Sequence, residues 1–255
     1  MNKTPQTLPQ QELSKKSFRR RTFISFAVFV LADVIGWTIF RRIKSAPPDG
    51  GTQAPLRKVL KQNEKIFSAV FDESKLVKEY PVSAAAKVVR VNGREGLETS
   101  VGEDLWRLQV NRADGSVLPV SLSDLKRLPK RDVVFDFKCI EGWSQVMHWG
   151  GVPFKTFVQA YNLTTEKAMR YIGLQTVNKK YYVGIDMPSA LHEQTLLAYE
   201  MNGRPLSPEH GAPLRLIIPV KYGIKHLKQI GNLYFSNEKP PDYWAERGYD
   251  YYAGH

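Results

Sequence analysis

The sequence predicts an α+β domain of many short strands, carried behind a single membrane-spanning helix. Three observations point there. Residues 23–40 form one apolar stretch between basic clusters, the rest of the chain mixes strand-like and helix-like patterns without regular alternation, and Pro/Gly turns punctuate it at short intervals. With the N-terminal segment set aside, about 210 residues remain, enough for one large domain or two small ones with a sizeable core.

The formal net charge of +12 suggests a polyanion partner until it is divided along the chain. Residues 1–44 hold nine Lys/Arg against Glu12 and Asp33, a net of +7, so the other 211 residues carry only +5. That is a mildly basic domain, and nucleic acid is not among its expected partners.

Residues 1–22 read as a cytoplasmic basic segment and 23–40 as the anchor, close to the roughly 20 residues that cross a bilayer core. Lys15, Lys16, Arg19, Arg20 and Arg21 precede the span, and Arg41, Arg42 and Lys44 follow it. The heavier upstream cluster keeps the N-terminus cytoplasmic and sends the domain across. Arg20-Arg21-Thr22-Phe23-Ile24 resembles a twin-arginine signal, which exports folded, cofactor-loaded proteins across the bacterial inner membrane into the periplasm. Basic residues occupy the place of a cleavage site, so the anchor is expected to stay attached. Asp33 costs about 3 kcal/mol at mid-span unless neutral or paired, which leaves a buried or interfacial helix as the alternative.

Residues 41–55, rich in Pro and Gly, predict an extended, weakly structured linker. In residues 56–80, Leu56, Val59, Leu60, Ile66, Phe67, Val70 and Phe71 recur at helical spacing, predicting an amphipathic helix packed on the domain or a partner. The domain proper is expected over 81–255. Residues 87–92 alternate like a strand that stops at the Asn92-Gly93 turn. Strands are expected over 105–110 and 117–122 around a turn at 112–115, then a short capped helix over 123–129 ended by Pro129. A strand over 133–138 leads to Cys139, followed by a helix over 154–161 and strands over 171–176 and 214–219. No internal repeat, zinc-type cysteine pair, Walker loop or GxSxG elbow is present.

Cys139 is the sole cysteine, so no internal disulfide can form. Such a thiol is a small buried hydrophobe, a nucleophile, a redox sensor, or a lone soft ligand to a metal whose other ligands come from elsewhere. Its place at a strand end beside Lys138 and Glu141 suits a functional side chain. A second stretch gathers Arg215, Lys221, Lys225, His226 and Lys228 around Gly223. These donors can hold a phosphate or another anion, or form an ordinary solvated loop.

Cys139-x-Glu141-x-Trp143-Ser144, Gly211-Ala-Pro-x-Arg215 and Pro219-x-Lys221-Tyr222-Gly223-x-Lys225 occur in that order. Together they resemble the molybdopterin-dependent oxidoreductases of the sulfite oxidase family, in the bacterial periplasmic branch that contains the methionine-sulfoxide reductase catalytic subunit. The likeness spans residues 87–252 and implies a mixed, strand-rich sulfite-oxidase-type fold. It implies that Cys139 is the one protein ligand to molybdenum, the other sulfurs coming from a pterin dithiolene. It places Thr176, His210, Arg215, His226, Leu227 and Lys228 against the pterin and its phosphate, with Lys225 in the same loop. His210 stands where the methionine-sulfoxide reductase has an asparagine. Arg90 and Asn92 are further pterin contacts by analogy, and Glu141 and Tyr181 fall near the metal.

The resemblance implies two-electron oxygen-atom transfer on a sulfoxide or related small oxide, with the metal cycling between Mo(VI) and Mo(IV). Eukaryotic relatives that oxidise sulfite follow the ligand cysteine with an Asn/Arg-bearing loop, whereas Glu141 here should repel an anion. A sulfite oxidase-type dehydrogenase is the alternative within the family; a thiol redox sensor using Cys139 and a non-catalytic membrane-tethered adaptor are alternatives outside it. No haem-binding segment or counterpart of the family's extra dimerisation domain is visible, so electrons are expected to pass through a separate haem or quinone-linked membrane protein. The aromatic tail, residues 240–252, is expected to fold back over the domain, with a partner surface as the alternative.

Overall fold

The computed structural model describes residues 15–97 and 102–255; residues 1–14 of the predicted basic segment, and 98–101 of the predicted domain, lie outside them. Helix α1, Lys15–Lys44, runs 30 residues, and its apolar window is 0% buried against the rest of the chain. At 1.5 Å per residue it extends about 45 Å, more than a hydrocarbon core.

The linker is ordered, contrary to expectation. Strands β1, Pro48–Asp49, and β2, Thr52–Gln53, pair as a small hairpin. The buried side chain of Arg57 donates to the carbonyls of Asp49, Gly50, Ala245 and Tyr249, tying the hairpin to the C-terminal tail. Four carbonyl acceptors around one cation replace the solvation that a free tether would keep.

Helix α2, Ala54–Val70, is shorter than the predicted 56–80. It stops before Phe71, whose extended backbone starts a run that packs Phe71 and Val77 on the core and bridges Glu79 to Phe135. Residues 87–92 form no strand either. Their backbone is held by a side chain, with Arg90 N donating to Gln145 Oε1 (3.0 Å) and Gln145 Nε2 donating to Val88 O (3.2 Å). A glutamine amide thus takes the place of a neighbouring strand.

Beyond this lie β3, Leu108–Asn111, and β4, Val117–Val120, joined at the predicted turn. Residues 105–107 lie outside the strand: Leu105 N and Trp106 N donate to Gly102 O, and Trp106 is buried with its indole N–H donating to Ile230 O at 2.9 Å. Helix α3, Leu122–Lys126, starts at a reciprocal Ser121/Asp124 capping box. Strands β5, Arg131–Lys138, and β6, Ser144–Pro153, make the long antiparallel hairpin that carries Cys139 at its tip. Then follow α4, Phe154–Ala160, α5, Thr164–Lys167, β7, Tyr171–Thr176, β8, Tyr182–Asp186, and α6, Met187–Ala190. The chain ends with β9, Leu196–Met201, β10, Arg204–Pro205, β11, Arg215–Ile217, and β12, Ile230–Ser236.

One sheet has the order β10-β9-β6-β5 with β11 also on β9, and the other β4-β3-β12-β7-β8. β12 is parallel to β3 and antiparallel to β7, which makes the architecture mixed α+β, as the sequence predicts. β6 bulges at Gly150/Gly151, and a Cβ on Gly151 would strike the backbone of Leu197 and Ala198, so only glycine lets β9 lie this close. One core cluster joins Leu108, Phe154, Phe157, Leu174, Ile185 and Leu216; a second, with Val133, Phe135, Phe137, Met147, Trp149 and Ile217, lies under the Cys139 hairpin. The aromatic tail folds back as expected, Tyr243 N donating to Tyr182 O at 3.0 Å.

Candidate functional site

Alternation along β5 buries Phe135 and Phe137 and delivers Cys139 to the hairpin tip. The turn closes by Cys139 N donating to Trp143 O (2.9 Å) and Gly142 N to Cys139 O (3.1 Å), with Gly142 at a φ of +87° that disfavours any side chain. Cys139 is 4% exposed and lines a cleft of about 170 Å³.

Around the thiol, Asn92 Nδ2 donates to Sγ at 3.4 Å. Burial and the Glu141 carboxylate push the thiol pKa up, against the Glu141 backbone N–H, Asn92 and Arg90, which favour the thiolate. Arg90 lies 4.5 Å over the Trp143 ring, whose indole N–H donates to Glu141 Oε2 at 3.1 Å. Glu141 is therefore an exposed carboxylate at the rim.

The second motif lines the same cleft. Arg215 is 4% exposed, donates to His210 O (2.9 Å) and His226 O (3.3 Å), and sits 4.5 Å over Trp149. Its Nε and the Trp149 Nε1 are buried without a hydrogen-bond partner. Burial alone pulls its pKa down to about 9. Lys228 donates to Gly93 O (2.9 Å) and Glu209 O (2.8 Å), and burial together with Arg215 brings it down to about 7. Burial and Arg215 hold His226 at about 3, so it is neutral; its Nε2 sits 3.1 Å from Lys221 O and its Nδ1 accepts from Ile218 N. His210 is likewise lowered, by burial first and then Arg215 and Lys228. Among the described residues, no carboxylate forms an ion pair with Arg215 or Lys228.

A buried cation without a counter-ion is costly unless an anion arrives to meet it. A single thiol and two such cations lining one cleft suit a group bearing both a sulfur-bound metal and a phosphate, so the residues fit a molybdenum-pterin.

The model of the oxidoreductase molybdopterin binding domain matches residues 95–244, more than half of the chain. The chain belongs to this molybdopterin-binding oxidoreductase family. A curated relative from Azospira oryzae, named as a protein-methionine-sulfoxide reductase subunit (YedZ1), is 31% identical over 81% of this chain and 78% of its own length. The catalytic subunit MsrP of a protein-methionine-sulfoxide reductase from Campylobacter jejuni is 30% identical over 58% of this chain, which spans 56% of that relative. Among solved structures, the sulfane dehydrogenase SoxCD of Paracoccus pantotrophus matches with a TM-score of 0.50 and 19% identity, over 55% of this chain and 40% of that one, a likeness of fold. This molybdopterin-binding oxidoreductase is therefore an enzyme of sulfite-oxidase-like fold that uses a molybdenum-pterin cofactor.

Of the residues singled out in the sequence of this oxidoreductase, Cys139, Arg90, Asn92, Glu141, Tyr181, His210, Arg215, His226 and Lys228 all line the cleft. Tyr181 is buried and donates to Ile224 O at 2.6 Å. Thr176 lies beneath the wall, its hydroxyl donating to Asn178 Oδ1 (2.7 Å), and a Cβ on Gly96 would press on it. Lys225 and Leu227 are not in the cleft. Lys225 is buried against Asp242 and Gly184 O, because the returning tail offers it a carboxylate; Leu227 is core, its carbonyl accepting from Leu216 N. Lys221 turns away as well, pairing with Asp186 at 2.8 Å. The sequence reading missed Trp149, Trp244 and Tyr249 as cleft residues. Trp149 reads as ordinary core in an apolar strand, and only its contact with Arg215 distinguishes it.

Proposed function

We propose that this chain is the catalytic subunit of a membrane-anchored sulfoxide reductase, facing the periplasm and converting a sulfoxide, two electrons and two protons into a sulfide and water. The observation that carries the reading is the meeting of the lone thiol with two unpaired cations in one aromatic-lined cleft. When bound, the cofactor supplies the two-electron oxygen-atom chemistry.

The chain's own residues hold and orient. Cys139 serves as the single protein ligand, and the Asn92 amide steadies its sulfur. Arg215 and Lys228 neutralise the phosphate, with His210 and His226 beside them as neutral hydrogen-bonding rings. Phe137, Trp143, Trp149, Tyr181 and Trp244 supply apolar walls that limit water and suit a neutral thioether oxide. Glu141 at the rim opposes anions such as sulfite. The relatives named as methionine-sulfoxide reductase subunits support this substrate class. Electrons come from a separate haem or quinone-linked membrane protein, which the span at α1 would keep near.

The test is expression in a host that makes molybdopterin, elemental analysis for molybdenum, and turnover with reduced viologen against methionine sulfoxide (free and peptide-bound), N-oxides and, with an acceptor, sulfite. Sulfoxide reduction as the fastest reaction is expected. Faster sulfite oxidation would reverse the substrate assignment, and a metal-free protein from a host that loads a control enzyme would remove the whole reading.

A further inference from the structure

The sequence leads one to expect α2 to pack its apolar side on the domain or a partner, and the structure leaves that side off the domain. Leu56, Val59, Ile66, Phe67 and Val70 fall on one stripe of the helix and are 40–67% exposed. The domain-facing side is instead polar. Arg57 is buried in its cage of carbonyls, Lys61 meets Asp49 at 3.2 Å, and Glu64 meets Lys239 of the tail. Lys58 and Lys65 are exposed on the side of the helix away from the stripe, next to Lys61. Five large apolar side chains along one stripe, with lysines on the opposite face, are the pattern of a helix lying in a membrane interface.

The position in the chain names the occupant. α2 starts at Ala54, ten residues after α1 ends at Lys44, and the hairpin between them allows no slack: Ala54 N donates to Pro47 O at 2.9 Å. Basic residues Arg41, Arg42 and Lys44 close the span. Resting on the reading of α1 as a bilayer span, we infer that α2 lies on the surface of the same bilayer, its stripe buried among acyl chains and its lysine-bearing face toward the headgroups and water. Arg57 joins α2 to the turn bearing Ala245 and Tyr249, and Trp244 and Tyr249 line the cleft. Seating the helix therefore holds the cleft's lip at a fixed height above the membrane.

The test uses the full-length, cofactor-loaded protein in nanodiscs of phosphatidylethanolamine and phosphatidylglycerol. A photoreactive p-benzoylphenylalanine replaces, in separate samples, Phe67 on the stripe, Phe29 in α1 or Lys61 on the domain side, and adducts are read by mass spectrometry after illumination. Lipid adducts are expected at Phe67 with a yield comparable to Phe29, and little at Lys61. Introducing Ile66→Glu with Val70→Glu should remove the adduct at Phe67 and leave that at Phe29. Adducts at Phe29 without any at Phe67 would overturn the inference while the anchor stands; none at Phe29 would overturn the anchor itself. If the Phe67 probe, silent in nanodiscs, couples to a protein in native membranes, the stripe is a protein interface and the bilayer assignment is wrong.

Discussion

The guanidinium of Arg215 lies 4.5 Å over the ring of Trp149, and each keeps a buried N–H that no described residue accepts. In the cofactor-free protein this pair is a cost, because a buried cation lacks its counter-ion.

Arg215→Met should therefore leave the cofactor-free domain within about 1 kcal/mol of its parent, or stabilise it, while sharply lowering the molybdenum retained after purification. Denaturant unfolding and elemental analysis on the same samples check this. A large loss of stability with full metal content would make Arg215 a structural residue only.

Cys139→Ser should abolish molybdenum retention and turnover together. Asn92→Ala, which removes only the 3.4 Å contact to Sγ, should weaken metal retention by about 10–100-fold without unfolding the chain. Competition with a molybdate-binding chelator during partial unfolding measures the difference.

Lys225 and Asp242 are 1% and 2% exposed and paired with each other. Breaking the pair by Asp242→Ala should cost about 3–5 kcal/mol, whereas Lys225→Met with Asp242→Leu should cost much less. If the double variant folds and still binds molybdenum, Lys225 acts in folding and not in cofactor binding.

His226 is held near 3 and His255 near 4, against 6.5 when unfolded, in each case mainly by burial. The unfolded chain thus takes up protons below pH 6.5 that the folded one refuses. Stability from these groups is complete above pH 6.5 and is lost as pH falls toward 3–4. Thermal melts of the cofactor-free protein should show Tm dropping over that window, and His226→Phe should flatten the drop. An equal drop in the variant would assign it to other groups.

Replacing Arg20 and Arg21 by Lys together should block export of the folded domain if the twin-arginine reading holds. Fractionation of cytoplasm, membrane and periplasm reads the outcome, and unchanged location would count against it.

Much of the site is visible in sequence because its signals are local. The short capped helix, read over 123–129 and found over Leu122–Lys126, the strand leading to Cys139, the strand over residues 171–176 and the Arg215 strand each follow from neighbours a few residues apart. Residues 87–92 defeat the same reasoning. Their alternation is strand-like, yet the Gln145 side chain meets the Arg90 N–H and the Val88 carbonyl in place of a strand partner.

By itself the sequence determined the mixed α+β class, the single thiol, the apolar span and the order of the cofactor motifs, since composition, periodicity and spacing are properties of the chain. Only the tertiary structure decided which lysines serve the cleft. Lys221, Lys225 and Lys228 are alike in sequence, but Asp186 and Asp242 reach the first two from other elements, and carbonyls alone meet Lys228. The outward face of α2 was decided in the same way, because Arg57 finds its acceptors in the hairpin and the distant tail and so turns the apolar stripe away from the core.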